Sequence, residues 1–205
     1  MMSRASDNRL LVFARNPSPG SVKTRLIPAL GEEGAYQVYL KLLQHTLAAS
    51  SAVTGATPAL WLAGGPPNPV LARLLQAYPM PWHPQLGDDL GARMHAAISK
   101  TLQQAARVVL IGSDCPGYDA VYLAGAFAAL DHADVVIGPA IDGGYVLIGA
   151  RQPIAQLFID MPWGTDRVLA VTLQRLNAGG YRHHLLHPLR DVDTANDLDA
   201  LDALK

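Results

Sequence analysis

A single cysteine, Cys115, occurs in the 205 residues, so no internal disulfide can form and neither a Cys-x-x-Cys pair nor a thiolate zinc cluster can be built. This thiol content fits a cytoplasmic setting. Aromatic residues make up only 6% of the chain and the formal net charge is only -1, which leaves neither a stacking platform nor a broad basic field. Nucleic acid is therefore not an expected partner. No run approaches the ~20 apolar residues that a bilayer requires. After the polar start Met1 to Arg9, the apolar stretch Leu10 to Ala14 is too short for a signal-peptide core, so neither a membrane span nor a leader is expected. Hydrophobic residues are plentiful, at 50% against 16% charged, enough for one domain over residues 1–205 with a sizeable core.

Strand and helix signals alternate along the chain. Strands are expected at Leu10 to Ala14, Ala59 to Leu62, from Val108, around Val135 and Val146, and at Tyr181 to Leu186. Helices are expected at Glu32 to Ser50, Val70 to Tyr78, Asp89 to Ala105, Val121 to Leu130 and Thr165 to Asn177, the last closed by Gly179-Gly180. In the third of these, Leu90, Met94, Ile98 and Leu102 recur every four positions and draw one apolar stripe. Thr194 and Asp197 form a capping-box pattern ahead of a closing helix lined by Leu198, Leu201 and Leu204. The rhythm is βαβ, which implies an α/β fold with a mostly parallel sheet flanked by helices.

Val108-Val109-Leu110-Ile111-Gly112 is apolar without alternation, the pattern of a strand covered on both faces, and it ends at Ser113-Asp114. Ligands of open α/β sheets sit beyond the carboxyl ends of such strands, so Asp114 lies where a cation or ligand is expected; capping a helix near Asp119 is the plain alternative. A second apolar pair flanks Asp142-Gly143-Gly144, which serves either a hairpin turn or close backbone approach to a ligand. The loop after the first strand, Arg15 to Pro28, carries Arg15, Lys23 and Arg25 in a Pro/Gly-rich setting. It is neither a P-loop nor a GxGxxG turn, yet it places three cations where phosphate would lie. A solvated basic loop is the alternative to this phosphate-binding reading. Cations on one strand end and acids on others suit a metal-bound diphosphate.

Pro19-Gly20-Ser21-Val22-Lys23-Thr24-Arg25-Leu26, Leu90-Gly91-Ala92-Arg93-Met94, Gly112-Ser113-Asp114-Cys115-Pro116, Gly138 to Tyr145, Trp163-Gly164-Thr165 and Asp191-Val192-Asp193-Thr194 together resemble the small GT-A-type glycosyltransferases that include the arsenosugar-biosynthesis transferases. The resemblance spans nearly the whole chain. It implies a nucleotide-diphospho-sugar transferase (GT-A-like) fold, a mixed sheet between helices, related to molybdenum-cofactor and phospholactate guanylyltransferases. It also implies that Lys23, Thr24 and Arg25 hold the nucleotide and that Asp114 binds a divalent metal, magnesium or manganese. By similarity to the sugar-activating cytidylyltransferases, Asp193 in Asp193-Thr194-Ala195-Asn196-Asp197-Leu198 is a second metal candidate, with helix capping as its other use. The loop departs from true nucleotidyltransferases in lacking their double glycine.

The expected partners are a nucleotide sugar, or a nucleotide, and a small-molecule acceptor. In that scheme Asp114 acts through the metal and Asp142 is the general base or acceptor contact. Arg15 and Arg93 contact the nucleotide, a surface ion pair being the alternative for Arg93. Gly143, Gly144 and Trp163 face the acceptor, and a half-buried loop anchor would equally explain Trp163. Alternatives to glycosyl transfer are nucleotidyl transfer to a phosphorylated small molecule and nucleotide binding without turnover. His183, His184 and His187 lack a partner Cys or Glu at ligand spacing, and Cys115 lacks an adjacent activating His, so neither group is expected to carry chemistry.

Overall fold

A computed structural model describes residues 8–204. Seven strands form one mixed sheet: β1 (Asn8–Arg15), β2 (Thr57–Ala63), β3 (Trp82–Pro84), β4 (Arg107–Gly112), β5 (Val135–Pro139), β6 (Tyr145–Ala150) and β7 (His183–Leu185), in the order β3-β2-β1-β4-β6-β5-β7. Only β6 runs against its neighbours, with Leu110 opposite Ile148 and Ile137 opposite Ile148. The other strands are parallel, so their carboxyl ends share one edge of the sheet.

Five α-helices cover both faces: α1 (Ile27–Ala52), α2 (Pro69–Ala77), α3 (Leu90–Leu102), α4 (Ala120–Ala129) and α5 (Val168–Ala178). Alternation along β1 explains why both faces must be covered. Leu10, Val12 and Ala14 pack with Tyr39, Leu43 and Leu47 of α1 and with Leu123 and Phe127 of α4. Leu11 and Phe13 turn the other way, toward Met94, Ala97 and Ile98 of α3 and Leu176 of α5. A third cluster joins Leu26, Ala35, Leu42 and Val192 to Leu198, Leu201 and Leu204 of the closing segment.

Several expectations need adjustment. β3 carries no strong strand signal, being three residues that follow Pro81 and end in Pro84, and it forms because Leu60 to Leu62 offer it a parallel ladder. In α1 the chain breaks at Gly31 (φ 72°), a left-handed position that glycine adopts without steric cost, so the regular helix begins beyond it, close to the expected Glu32. Leu90 is 46% exposed and stands off the buried stripe of α3, which is Gly91, Met94, Ala97 and Ile98. The closing segment Ala195–Leu204 is a 3-10 helix rather than an α-helix. Its start is nevertheless held as the capping pattern implies, the Asp197 carboxylate accepting from the Thr194 backbone N–H at 2.8 Å.

Candidate active site

The carboxyl edge of the sheet opens into a cleft of about 730 Å³, a size suited to a small-molecule ligand. Most of the residues singled out in the sequence meet there. Arg15, Lys23, Thr24, Arg25, Arg93, Asp114, Asp142, Gly144, Trp163 and Asp193 all line it.

Asp114 leaves the end of β4, flanked by buried Ser113 and Cys115, and does not cap α4. Asp119 does that, accepting from the Tyr122 N–H at 2.6 Å. The Asp114 Oδ1 instead meets Lys23 Nζ at 2.7 Å, the lysine side chain being 4% exposed and the carboxylate 47%. Lys23 also donates to the Val192 carbonyl at 2.6 Å, and the Val192 N–H donates to the Asp114 carbonyl at 2.9 Å. Loop, strand end and tail are thus tied at one point. Lys23 occupies this place from a left-handed backbone (φ 50°), unusual for a side-chain-bearing residue and a mark of an over-determined position.

Arg25, in the short turn Thr24–Leu26, pairs with Asp193 at 2.7 Å in the open part of the cleft. Arg15 is exposed and has no carboxylate partner among the described residues. Its backbone is clamped from α1: the Tyr39 hydroxyl accepts from the Arg15 N–H at 2.9 Å and donates to the Arg15 carbonyl at 2.8 Å. Arg93 spends Nε on the Gly87 carbonyl at 2.9 Å, which holds the segment before α3 rather than a surface carboxylate.

Asp142 sits in the β5–β6 turn. Its Oδ1 accepts from the Gly144 N–H at 2.9 Å, so the hairpin reading and the cleft reading both hold for it. Gly143 does not line the cleft. At φ +92° it packs against Asp166, whose carbonyl would lie 2.3 Å from an added Cβ, and so it serves the approach of α5 to the turn. Trp163 is half-buried with its ring edge-on to Tyr145, centroids 6.2 Å apart, and combines loop anchor and cleft wall.

Asp191, first residue of Asp191-Val192-Asp193-Thr194, joins the site although the sequence assigns it no role. After β7 the chain continues beside β5, with Leu186 donating to Ile137 and Leu189 to Pro139, and this delivers Asp191 to the acids. Val192 between the two aspartates is fully buried, so Asp191 and Asp193 both turn to the cleft. Burial, then the charge of Asp142, then that of Asp114, push the Asp191 carboxyl up to about 6. The buried Val192 between two acids was the available signal.

Asp114, Asp142 and Asp191 are hard oxygen donors of the kind a divalent cation neutralises. Among the described residues, however, no three His, Cys, Asp or Glu side chains stand close enough to form a ready-made metal cage. Cys115 is buried and its thiol is pushed up to about 12, chiefly by burial, so it is no nucleophile at neutral pH. His187 stacks edge-on against Tyr122 and His183 turns back to the Tyr181 carbonyl, away from the cleft.

The sequence model of DUF2064, described as an uncharacterized protein conserved in bacteria, matches residues 46–165, more than half of the chain. The chain belongs to the DUF2064 family. This DUF2064 protein is 31% identical over 122 residues to a phosphoenolpyruvate guanylyltransferase of Chloroflexus aggregans, the match covering 57% of this chain and 59% of that relative's length. It is 33% identical to a crystallised protein of Desulfovibrio desulfuricans G20, assigned as a nucleotide-diphospho-sugar transferase. That likeness has a TM-score of 0.86 over 96% of this chain and 86% of the other. A manganese complex of a Mycobacterium tuberculosis H37Rv protein, 15% identical, shares the fold at a TM-score of 0.53 over 95% and 97% of the two chains. The DUF2064 protein therefore has the nucleotide-diphospho-sugar transferase fold, and the first two relatives, a guanylyltransferase and a nucleotide-diphospho-sugar transferase by name, are both transferases. No described helix is long and apolar enough to cross a membrane.

Proposed function

We propose that the cleft transfers a sugar from a nucleotide-sugar donor to a small-molecule acceptor, with a divalent cation at Asp114. The observation that carries this reading is the pairing of the loop cations. Lys23 is neutralised by Asp114 and Arg25 by Asp193, which leaves fewer free positive charges than a triphosphate would call for. A diphosphate matches better. The likeness of six motifs to the small GT-A-type and arsenosugar-biosynthesis transferases supports the same choice.

Asp114 with Asp191 would hold magnesium or manganese. Such an ion offsets the charge that develops on a departing diphosphate. Arg15 and Thr24 would bind the phosphates, while Lys23 fixes Asp114 and the tail and Arg25 holds Asp193. The second Asp142 oxygen, not engaged by Gly144, is the candidate base for the hydroxyl of an acceptor that would bind beside Trp163 and Gly144. The proton passes from that hydroxyl to Asp142 as the new glycosidic bond forms at the anomeric carbon, the bond from that carbon to the diphosphate breaks and the nucleoside diphosphate leaves.

The C. aggregans relative favours a second reading, nucleotidyl transfer with release of pyrophosphate. A thermal-shift panel separates the two, because a ligand that binds the native state raises its midpoint. Stabilisation by nucleotide sugars that depends on magnesium or manganese, exceeding that by nucleoside triphosphates, is the expected result. Preference for a triphosphate would move the assignment to nucleotidyl transfer, and no shift would remove both.

A further inference from the structure

Strand order sets the direction of the cleft: β4 and its Asp114 lie on one side of the β1 loop, β2 and β3 on the other. A nucleotide whose phosphates lie at that loop and whose far end meets Asp114 must place its base toward β2 and β3. Gln85, directly after β3, lines the cleft on this side. Its backbone N–H extends the ladder by donating to the Leu62 carbonyl at 3.0 Å. Its side-chain Nε2 donates to the Ala14 carbonyl at 3.0 Å and to the Trp61 carbonyl at 2.8 Å.

A carboxamide nitrogen has two hydrogens, and here each is spent on a backbone acceptor, so the amide cannot flip without orphaning both carbonyls. What remains is Oε1, an acceptor of fixed orientation that receives no hydrogen bond from any described residue. Asp88, on the same wall, adds a carboxylate with no hydrogen bond or ion pair among the described residues. The segment between them is held at its far end. Arg93 fastens the Gly87 carbonyl, and Asp89 caps α3 by accepting from the Ala92 N–H at 2.7 Å.

Gln85 and Asp88, three residues apart and both lining the cleft, together offer acceptors suited to a base edge with two neighbouring donors. Guanine offers that edge in N1–H and its 2-amino group. Adenine and cytosine place a donor beside an acceptor, and uracil sets one N–H between two acceptors. We propose that Gln85, with Asp88, reads the base of the donor and selects a guanine nucleotide. This rests on the nucleotide-transferase reading above and names the donor class within it.

Titration calorimetry with GDP, IDP, ADP, CDP and UDP in magnesium tests the proposal without requiring any variant to fold. GDP is expected to bind at least about tenfold more tightly than IDP, which lacks the 2-amino group, and more tightly still than ADP, CDP or UDP. Asp88→Asn and Gln85→Met are each expected to bring GDP to within about threefold of IDP while leaving ADP affinity in place. Binding of all five diphosphates with equal affinity overturns the base assignment alone. So does an unchanged GDP-to-IDP ratio in both variants. Binding of none of them overturns the transferase reading and this inference together.

Discussion

Asp114 and Asp142 look alike in the sequence, each a lone acid at the end of an apolar strand, yet the structure gives them different ties. Asp114 is bound to a buried lysine from another element and to the tail through its backbone. Among the described residues, Asp142 is bound only to its own turn. The difference separates two costs. Removing Asp114 orphans a buried charge, whereas removing Asp142 leaves its surroundings intact.

The largest effect is therefore expected at Asp114. Asp114→Ala should lower turnover by about 10³-fold or more and also destabilise the fold by about 1–3 kcal/mol, a buried-pair penalty discounted because the carboxylate is half-exposed. Denaturant titration of Lys23→Met with Asp114→Ala should show the double variant less destabilised than the sum of the singles; additive losses would mean the pair is uncoupled. Asp142→Asn keeps an acceptor for Gly144, so stability should change by less than about 0.5 kcal/mol. Turnover should still fall by about 10²-fold or more, and normal turnover would remove the base role.

Asp191 sharpens the same contrast through pH. Its folded value, about 6, lies above the ordinary 3.8, so between these values the folded state binds more protons and stability falls as pH rises. Above about 6 that loss is complete. Asp191→Asn should therefore raise the melting temperature at pH 8 more than at pH 4, and an equal change at both would place the acid outside the cluster.

Two helix glycines give a smaller comparison. A Cβ on Gly91 would lie 2.3 Å from the Phe158 carbonyl, while one on Gly125 in α4 meets nothing within 4 Å. Gly91→Ala is expected to cost about 1–3 kcal/mol by overpacking. Gly125→Ala should gain about 0.5–1 kcal/mol from helix propensity. Chemical denaturation measures both.

Hydrophobic pattern made most of the sheet and all five α-helices legible, because strands buried on both faces are apolar throughout and the helices show one buried stripe. β3 was not legible, since three residues that follow one proline and end in another become a strand only beside β2. The strand-end acids and the loop cations could be read from position alone. Their partners could not: Lys23 reaches Asp114 across the fold, and Asp191 arrives through a tail whose path depends on backbone bonds to β5. Gly143 shows the converse error, a glycine read as facing ligand that instead admits the backbone of Asp166.

The central claim is that a divalent cation and a nucleotide diphosphate meet at Asp114. Electron paramagnetic resonance of manganese, titrated into the protein with and without GDP, tests it most directly. The account predicts that GDP tightens manganese binding in the wild-type chain and that Asp114→Ala abolishes the gain. Manganese binding unchanged by Asp114→Ala, with or without nucleotide, would contradict it.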